Sequence, residues 1–281
     1  MARQARQRVP EGPAPDPAVQ KLRIRYTKRG RLRFTSSRDF QRALERALRR
    51  ADVPMAFSAG FHPHPKISYA NAAATGTASE AEYVEISVTR RVDPESVRVA
   101  LDEALPDGID IEEVVEAAPG ALADRLEASA WHLEFQGVDS TTLTDAVERL
   151  LALERADVTR MTKSGPRTFD VRGAVVSTSV TAPAEGEALS TGAASLVASG
   201  GDCAILRMVV RHTTPAVRPD DILTALREIA DLQPPRPPLV TRLAQGPLDT
   251  ASARVADPLA ADENAAGTEH GAAPSANRAQ L

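Results

Sequence analysis

Apolar and charged residues alternate at period two from Leu22 to Tyr26, with Arg23 and Arg25 between them, and this predicts a β-strand. Lys28-Arg29-Gly30-Arg31 is a turn signal, since glycine reaches positive φ without steric cost. Leu32 and Phe34 then resume the alternation, as in a hairpin or one bent strand. The period changes at Ser36. Phe40, Ala43, Leu44, Ala47, Leu48 and Ala51 recur at helical spacing, Ser36 and Asp39 are spaced as a capping box, and Pro54 stops the helix. Arg42, Arg46 and Arg49 fall on its polar side. An extended segment broken by Gly60, Pro63 and Pro65 follows, then a strand in which Val84, Ile86 and Val88 alternate with Tyr83, Glu85 and Ser87. Asp93-Pro94 opens a second helix, with Val97, Leu101 and Leu105 on its buried side, and the stretch 109–117 reads as a closing strand. The order is βαββαβ, the split βαβ pattern of ferredoxin-like domains.

The order recurs. Residues 131–138 read as a strand, and Leu143, Val147, Leu150 and Leu151 mark a helix after Asp139-Ser140. One or two strands lie within 157–180, another opens at Cys203, a helix runs from Pro219 to Ala230, and 239–245 closes the unit. The expected fold is α+β: two tandem ferredoxin-like units over 20–117 and 130–246, joined by a linker at 118–129. The second unit carries a flexible insertion at 182–201. The leader 1–19 and the tail 247–281 are polar, rich in Pro or Ala, and expected to be disordered.

Composition narrows the function classes. The leader lacks the apolar stretch of a signal peptide, and the longest apolar runs fall far short of the ~20 residues of a membrane span, so a cytoplasmic protein is expected. A single cysteine, Cys203, excludes an internal disulfide and any cluster held by several thiolates of this chain; as the first residue of an apolar strand it is expected to be buried. Net charge is −4, yet Lys21–Lys66 holds 13 basic and 3 acidic residues, whereas 67–127 holds 4 basic and 14 acidic ones. Such segregation places a basic face on an acidic protein. Aromatics are only 4% of the chain, so any base-stacking surface rests on few residues.

The candidate phosphate- or RNA-binding residues are Lys28, Arg29 and Arg31 on the turn, Arg42, Arg46 and Arg49 on the helix, and Lys66 after it, with Arg160 and Lys163 extending the track. His62 and His64, two apart on an extended segment, face one way and suit a phosphate, a proton transfer or a metal, for which Glu80 and Glu82 are the nearest further ligands. A stiff, exposed Pro-rich loop is the plainer reading, and no metal site is assigned. Asp170 and Arg172, two apart on a strand, are expected to pair across its face.

Gly60-Phe61-His62-Pro63-His64-Pro65-Lys66-Ile67-Ser68-Tyr69-Ala70, with the upstream Ser36, Asp39 and Arg42, resembles the signature of the radical-SAM-linked protein family, a group of unknown function. Glu82 and Tyr83 continue the likeness, and Asp170 and Arg172 resemble part of a second block, so the resemblance spans roughly 20–245. One departure is plain: the family's helix start reads Ser-His-Leu-Asp, and here it is Ser36-Ser37-Arg38-Asp39. The resemblance implies a separately encoded radical SAM partner that carries the iron–sulfur cluster and S-adenosylmethionine, with no cofactor on this chain, and a link to RNA or ribosome-related RNA.

Three functions follow as expectations. The first is an accessory or substrate-presenting RNA-binding protein for that enzyme. The second is an acid–base or nuclease-like catalyst using His62 or His64. The third is a structural adaptor without nucleic acid.

Overall fold

The computed structural model describes residues 14–163, 165–184 and 189–263, and it is a mixed α+β protein. The leader before residue 14 and the tail beyond 263 lie outside the described residues. β1 (Gln20–Lys28) forms where the alternation predicts it. It does not continue through Leu32 and Phe34. Residues Gly30–Phe34 instead make a 3-10 turn, entered through Gly30 at φ +54° and closed by Thr35 N–H donating to the Leu32 carbonyl. The reason lies in the sheet, because β1 already has neighbours on both edges and no edge remains for a hairpin partner.

α1 (Ser37–Arg50) starts at the predicted cap, where Ser36 Oγ accepts from Asp39 N–H at 3.2 Å. It buries Phe40, Leu44, Ala47 and Leu48. The chain then runs through β2 (Ile67–Ala70), β3 (Ala78–Val88), α2 (Pro94–Ala104, capped by Asp93) and β4 (Ile111–Glu116). The strand order is β4-β1-β3-β2, and every pairing is antiparallel. Leu22, Ile24, Val84, Ile86 and Val88 are fully buried under α1 and α2, as their parity requires.

The second half runs through β5 (Ala128–Gln136), α3 (Ser140–Leu151), a hairpin of β6 (Asp157–Thr162) and β7 (Gly165–Asp170), and β8 (Val175–Thr181). It continues with α4 (Thr191–Ala198), β9 (Cys203–Arg211), α5 (Pro219–Ala230) and β10 (Leu239–Gly246). The order is β10-β5-β9-β8, again antiparallel throughout. β10 also lies parallel to the start of β3, with Thr241 opposite Ala78 and Arg242 opposite Ser79. The two halves therefore share one eight-stranded mixed sheet.

Two expected flexible segments carry structure. Within 182–201, α4 forms, Ala193 is fully buried, and Ser190 donates to Glu134 from both N–H and Oγ. Past Gly246 the chain turns through β11 (Leu248–Asp249) and β12 (Arg254–Val255) and lies across the sheet face opposite α1 and α2. There Leu259 is buried against Ala81, Tyr83 and Leu126. Asp262, also buried, accepts from Arg23 at 2.6 Å, from Arg125 at 2.9 Å and from Ala118 N–H at 2.8 Å. These contacts correct the expectation of a disordered tail for 247–263: an apolar anchor and a buried ion pair hold it.

Candidate functional site

The structure divides the candidate basic residues into two groups. Arg42, Arg46 and Arg49 are exposed on α1, and Arg38, one turn before Arg42, joins them. Spacings of four, four and three put all four guanidinium groups on one helix face. The only ion pair they make among the described residues is a long one, Arg42 to Asp39 at 3.9 Å. Lys66, His62, His64 and Arg31 are exposed too. The His-Pro loop folds back on itself: Phe57 bridges to Pro65, and Ser58 N–H donates to the His64 carbonyl. Phe57 (42%) and Phe61 (60%) are both exposed on this loop. A groove of about 250 Å³ runs between this ribbon and α1, lined by Glu45, Arg49, Asp52, Phe57 and Pro65.

The other residues, Lys163 apart, are engaged by the protein's own groups, although Arg29 itself stays exposed at the surface. Arg29 forms ion pairs with Glu80, Asp110 and Glu112. Arg160 holds Asp221 at 2.5 Å and lies over the Phe169 ring, while Lys163 is exposed on the β6–β7 turn. Lys28 is buried. The carboxylates considered as metal ligands are committed elsewhere, Glu80 to Arg29 and Glu82 to Arg242, and among the described residues no group of three or more His, Cys, Asp or Glu side chains is placed to hold a metal. Asp170 and Arg172 do not pair with each other. Asp170 accepts from the N–H groups of Ala156, Arg172 and Gly173, whereas Arg172 donates to the carbonyls of Leu151 and Val175. Partial burial works against the Asp170 charge, yet those N–H donors hold its carboxyl below the ordinary range. Cys203 is buried, as its place on the strand suggests.

A concavity of about 650 Å³ lies where β3 meets β10, bounded by Ser37, the 71–77 loop, Ser129, His212, Arg218 and Arg242. The starts of α1 and α5 both open onto it. Beneath it runs a buried polar network. Arg242 forms an ion pair with Glu82, donates to Asn71 O at 2.9 Å, and lies 5.5 Å from the Trp131 ring centroid. The other Glu82 oxygen accepts from Ala73 N–H at 3.0 Å, and Gln245 donates to Ala81 O at 2.7 Å. Lys28 Nζ donates to the carbonyls of Ala73 and Ala74 at 3.3 and 3.2 Å.

His212 sits at the rim. Its Nδ1 is 2.6 Å from Leu126 O, which can only accept, so Nδ1 carries the hydrogen and Nε2 accepts from Ser129 Oγ at 2.8 Å. Burial, assisted by Arg242, pushes the imidazole below its ordinary value despite the Leu126 carbonyl, and His212 is neutral at pH 7.

Most of this site escaped the sequence reading, although one signal was present. Lys28 continues the inward parity of Leu22, Ile24 and Tyr26, and Glu82 that of Val84, Ile86 and Val88. A charge at an inward position marks a buried polar network. Arg242, His212 and Ser129 become visible only once β10 is known to dock on β3.

Fold and cleft together define a class, an α+β protein with a polar cleft where two halves of one sheet meet. The chain belongs to the bacterial family described as "Uncharacterized protein conserved in bacteria (DUF2344)", whose model matches residues 21–219. No curated protein matches the chain. Among the described residues no helix is long and apolar enough to cross a membrane.

Proposed function

We propose that this protein binds single-stranded RNA along α1 and presents it to a radical SAM enzyme on a separate polypeptide, in the cytoplasm. The arginine stripe carries the reading: Arg38, Arg42, Arg46 and Arg49 line one exposed face, with one long ion pair among them. Guanidinium groups left free of carboxylates match phosphate geometry and stack on bases. Fourteen helical residues extend about 21 Å, enough for several nucleotides. At the far end, Phe57 and Phe61 with His62, His64 and Lys66 supply stacking faces and charge, the combination by which proteins hold single strands without reading their sequence. The likeness to the radical-SAM-linked family supports the partner. The single cysteine, buried at Cys203, supports placing the cluster and S-adenosylmethionine on that partner. We read each half, ordered β4-β1-β3-β2 and β10-β5-β9-β8, as a ferredoxin-like unit, the second enlarged by the β6–β7 hairpin.

The test is the salt dependence of RNA affinity. Each phosphate neutralised on a single strand contributes about −0.7 to the log–log slope. Replacing Arg42, Arg46 and Arg49 by Gln keeps good helix formers in place and is expected to flatten the slope by up to about 2. No RNA binding at low salt leaves the adaptor reading in its place, and an unchanged slope in the triple variant shows that RNA is not held along α1.

A further inference from the structure

We propose that the cleft holds a phosphate group, the terminal phosphate of an RNA strand or that of a free nucleotide, at the ammonium of Lys28 beneath the first turn of α1. This goes beyond RNA held along the helix and is separable from it.

The starting point is an uncompensated charge. Lys28 is 5% exposed, and its ammonium meets only the carbonyls of Ala73 and Ala74, both at long distance. Its third N–H has no acceptor among the described residues, and no carboxylate there comes within ion-pair distance of it. Glu82 acts on Lys28 through space, but its two oxygens are occupied by Arg242 and Ala73 N–H. Two cations thus share one carboxylate in the interior. A buried charge without a partner is costly, and a bound anion removes that cost. Burial pushes Lys28 below its ordinary value, and Arg242 adds to the effect against the pull of Glu82. The negative charge of an arriving phosphate opposes both influences.

The surroundings fit that anion. Lys28 shares a small pocket with Thr35, Ser36 and Ser37, and Ser37, Ala72 and Ala73 connect it to the large cavity. The N–H groups of Ser37 and Arg38 open α1, so no intrahelical carbonyl takes them. A helix start of this kind favours phosphate once a fixed cation stands beside it. The small pocket, about 40 Å³ and lined also by Tyr26, Phe40, Tyr69 and Glu82, admits no more than phosphate oxygens at Lys28, and the adjoining 650 Å³ has room for a nucleoside.

The experiment measures the full chain's affinity for one oligoribonucleotide with a 5′-phosphate, with a 3′-phosphate and with neither. Thermal shifts with inorganic phosphate and with a nucleoside monophosphate, against chloride of equal ionic strength, run in parallel. A phosphorylated end is expected to bind about tenfold tighter, the gain typical of added charge-assisted hydrogen bonds. Lys28→Met is expected to abolish that gain and leave affinity for the unphosphorylated strand unchanged. Ser37→Asp puts a carboxylate at the exposed first position of α1, where helices favour one, and is expected to remove the gain even if Lys28→Met fails to fold. Should no strand bind while phosphate or the mononucleotide raises the melting temperature in a Lys28-dependent way, the site stands with a free nucleotide as its source, and the RNA reading falls. The proposal is overturned if no phosphorylated probe shows a response that Lys28→Met or Ser37→Asp removes, whether or not RNA binds along α1.

Discussion

Side chains at inward positions separate what the strand pattern reveals from what it hides. Leu22, Ile24, Val84 and Ile86 are buried where alternation puts them. Lys28 and Glu82 obey the same parity and are buried as well, so a charge in an inward slot was the legible trace of the cleft. Arg23 is the opposite case: its parity points it away from α1, yet it is fully buried, because Asp262, 239 residues along the chain, closes over it. No local pattern carries that information. Among the described residues Glu82 is the only carboxylate bonded to the cations of its network, accepting from Arg242 while Lys28 lies within its field. Glu82→Ala would leave both cations buried without a counter-charge. By the usual cost of breaking a buried ion pair, a stability loss of about 3–5 kcal/mol is expected in urea unfolding. A loss under 1 kcal/mol would show that water already reaches this network.

Among the elements, helices announced themselves more clearly than connections. α1 and α2 begin at predicted caps, Ser36 and Asp93, because a capping side chain and an apolar stripe are both local features. The 3-10 turn at Gly30–Phe34 and the folding of 247–263 were not legible, since each depends on which sheet edges and faces other elements leave open. The second of these segments carries a pH dependence. Burial, then a hydrogen bond with the Glu263 carboxyl, raises Glu113 from 4.5 to about 7, while Arg25 pulls the other way. A raised carboxyl retains its proton longer in the folded state, so the unfolded state binds fewer protons between those two values. The contribution of this group to stability is therefore intact below about pH 4.5 and lost as the pH rises towards 7. Glu113→Gln keeps the folded form's neutral hydrogen bonding and removes the titration. Its melting temperature is expected to rise relative to the parent across that window, in scans from pH 4 to 8. A constant difference between the two proteins at all pH values would mean the tail does not sense Glu113.

At the scale of the molecule, the joint between halves fixes both the cleft and the way the protein comes apart. β3 has one edge shared by two partners: β2 takes its later residues, Tyr83–Ile86, and β10 takes Ala78 and Ser79. That short parallel contact is reinforced by the Glu82–Arg242 ion pair and by Gln245 bonded to Ala81 O, so backbone ladder and buried side chains cross the boundary together. The 118–129 segment and the tail add a second crossing. Arg125, from the connecting segment, donates to Asp262 and Pro258 O in the tail, and Asp262 reaches Arg23 on β1. Opening the cleft thus breaks a desolvated network as well as two ladder positions, and neither half is expected to unfold while the other keeps its structure. The sole tryptophan makes this measurable, because Trp131 lies in the second half against Arg242, whereas far-ultraviolet circular dichroism reports the helices and strands of both. Chemical unfolding followed by tryptophan fluorescence and by circular dichroism should give coincident curves with one midpoint, the mark of a cooperative two-state transition. Two separated midpoints would show the halves to be independent folding units, and the cleft between them to be a hinge.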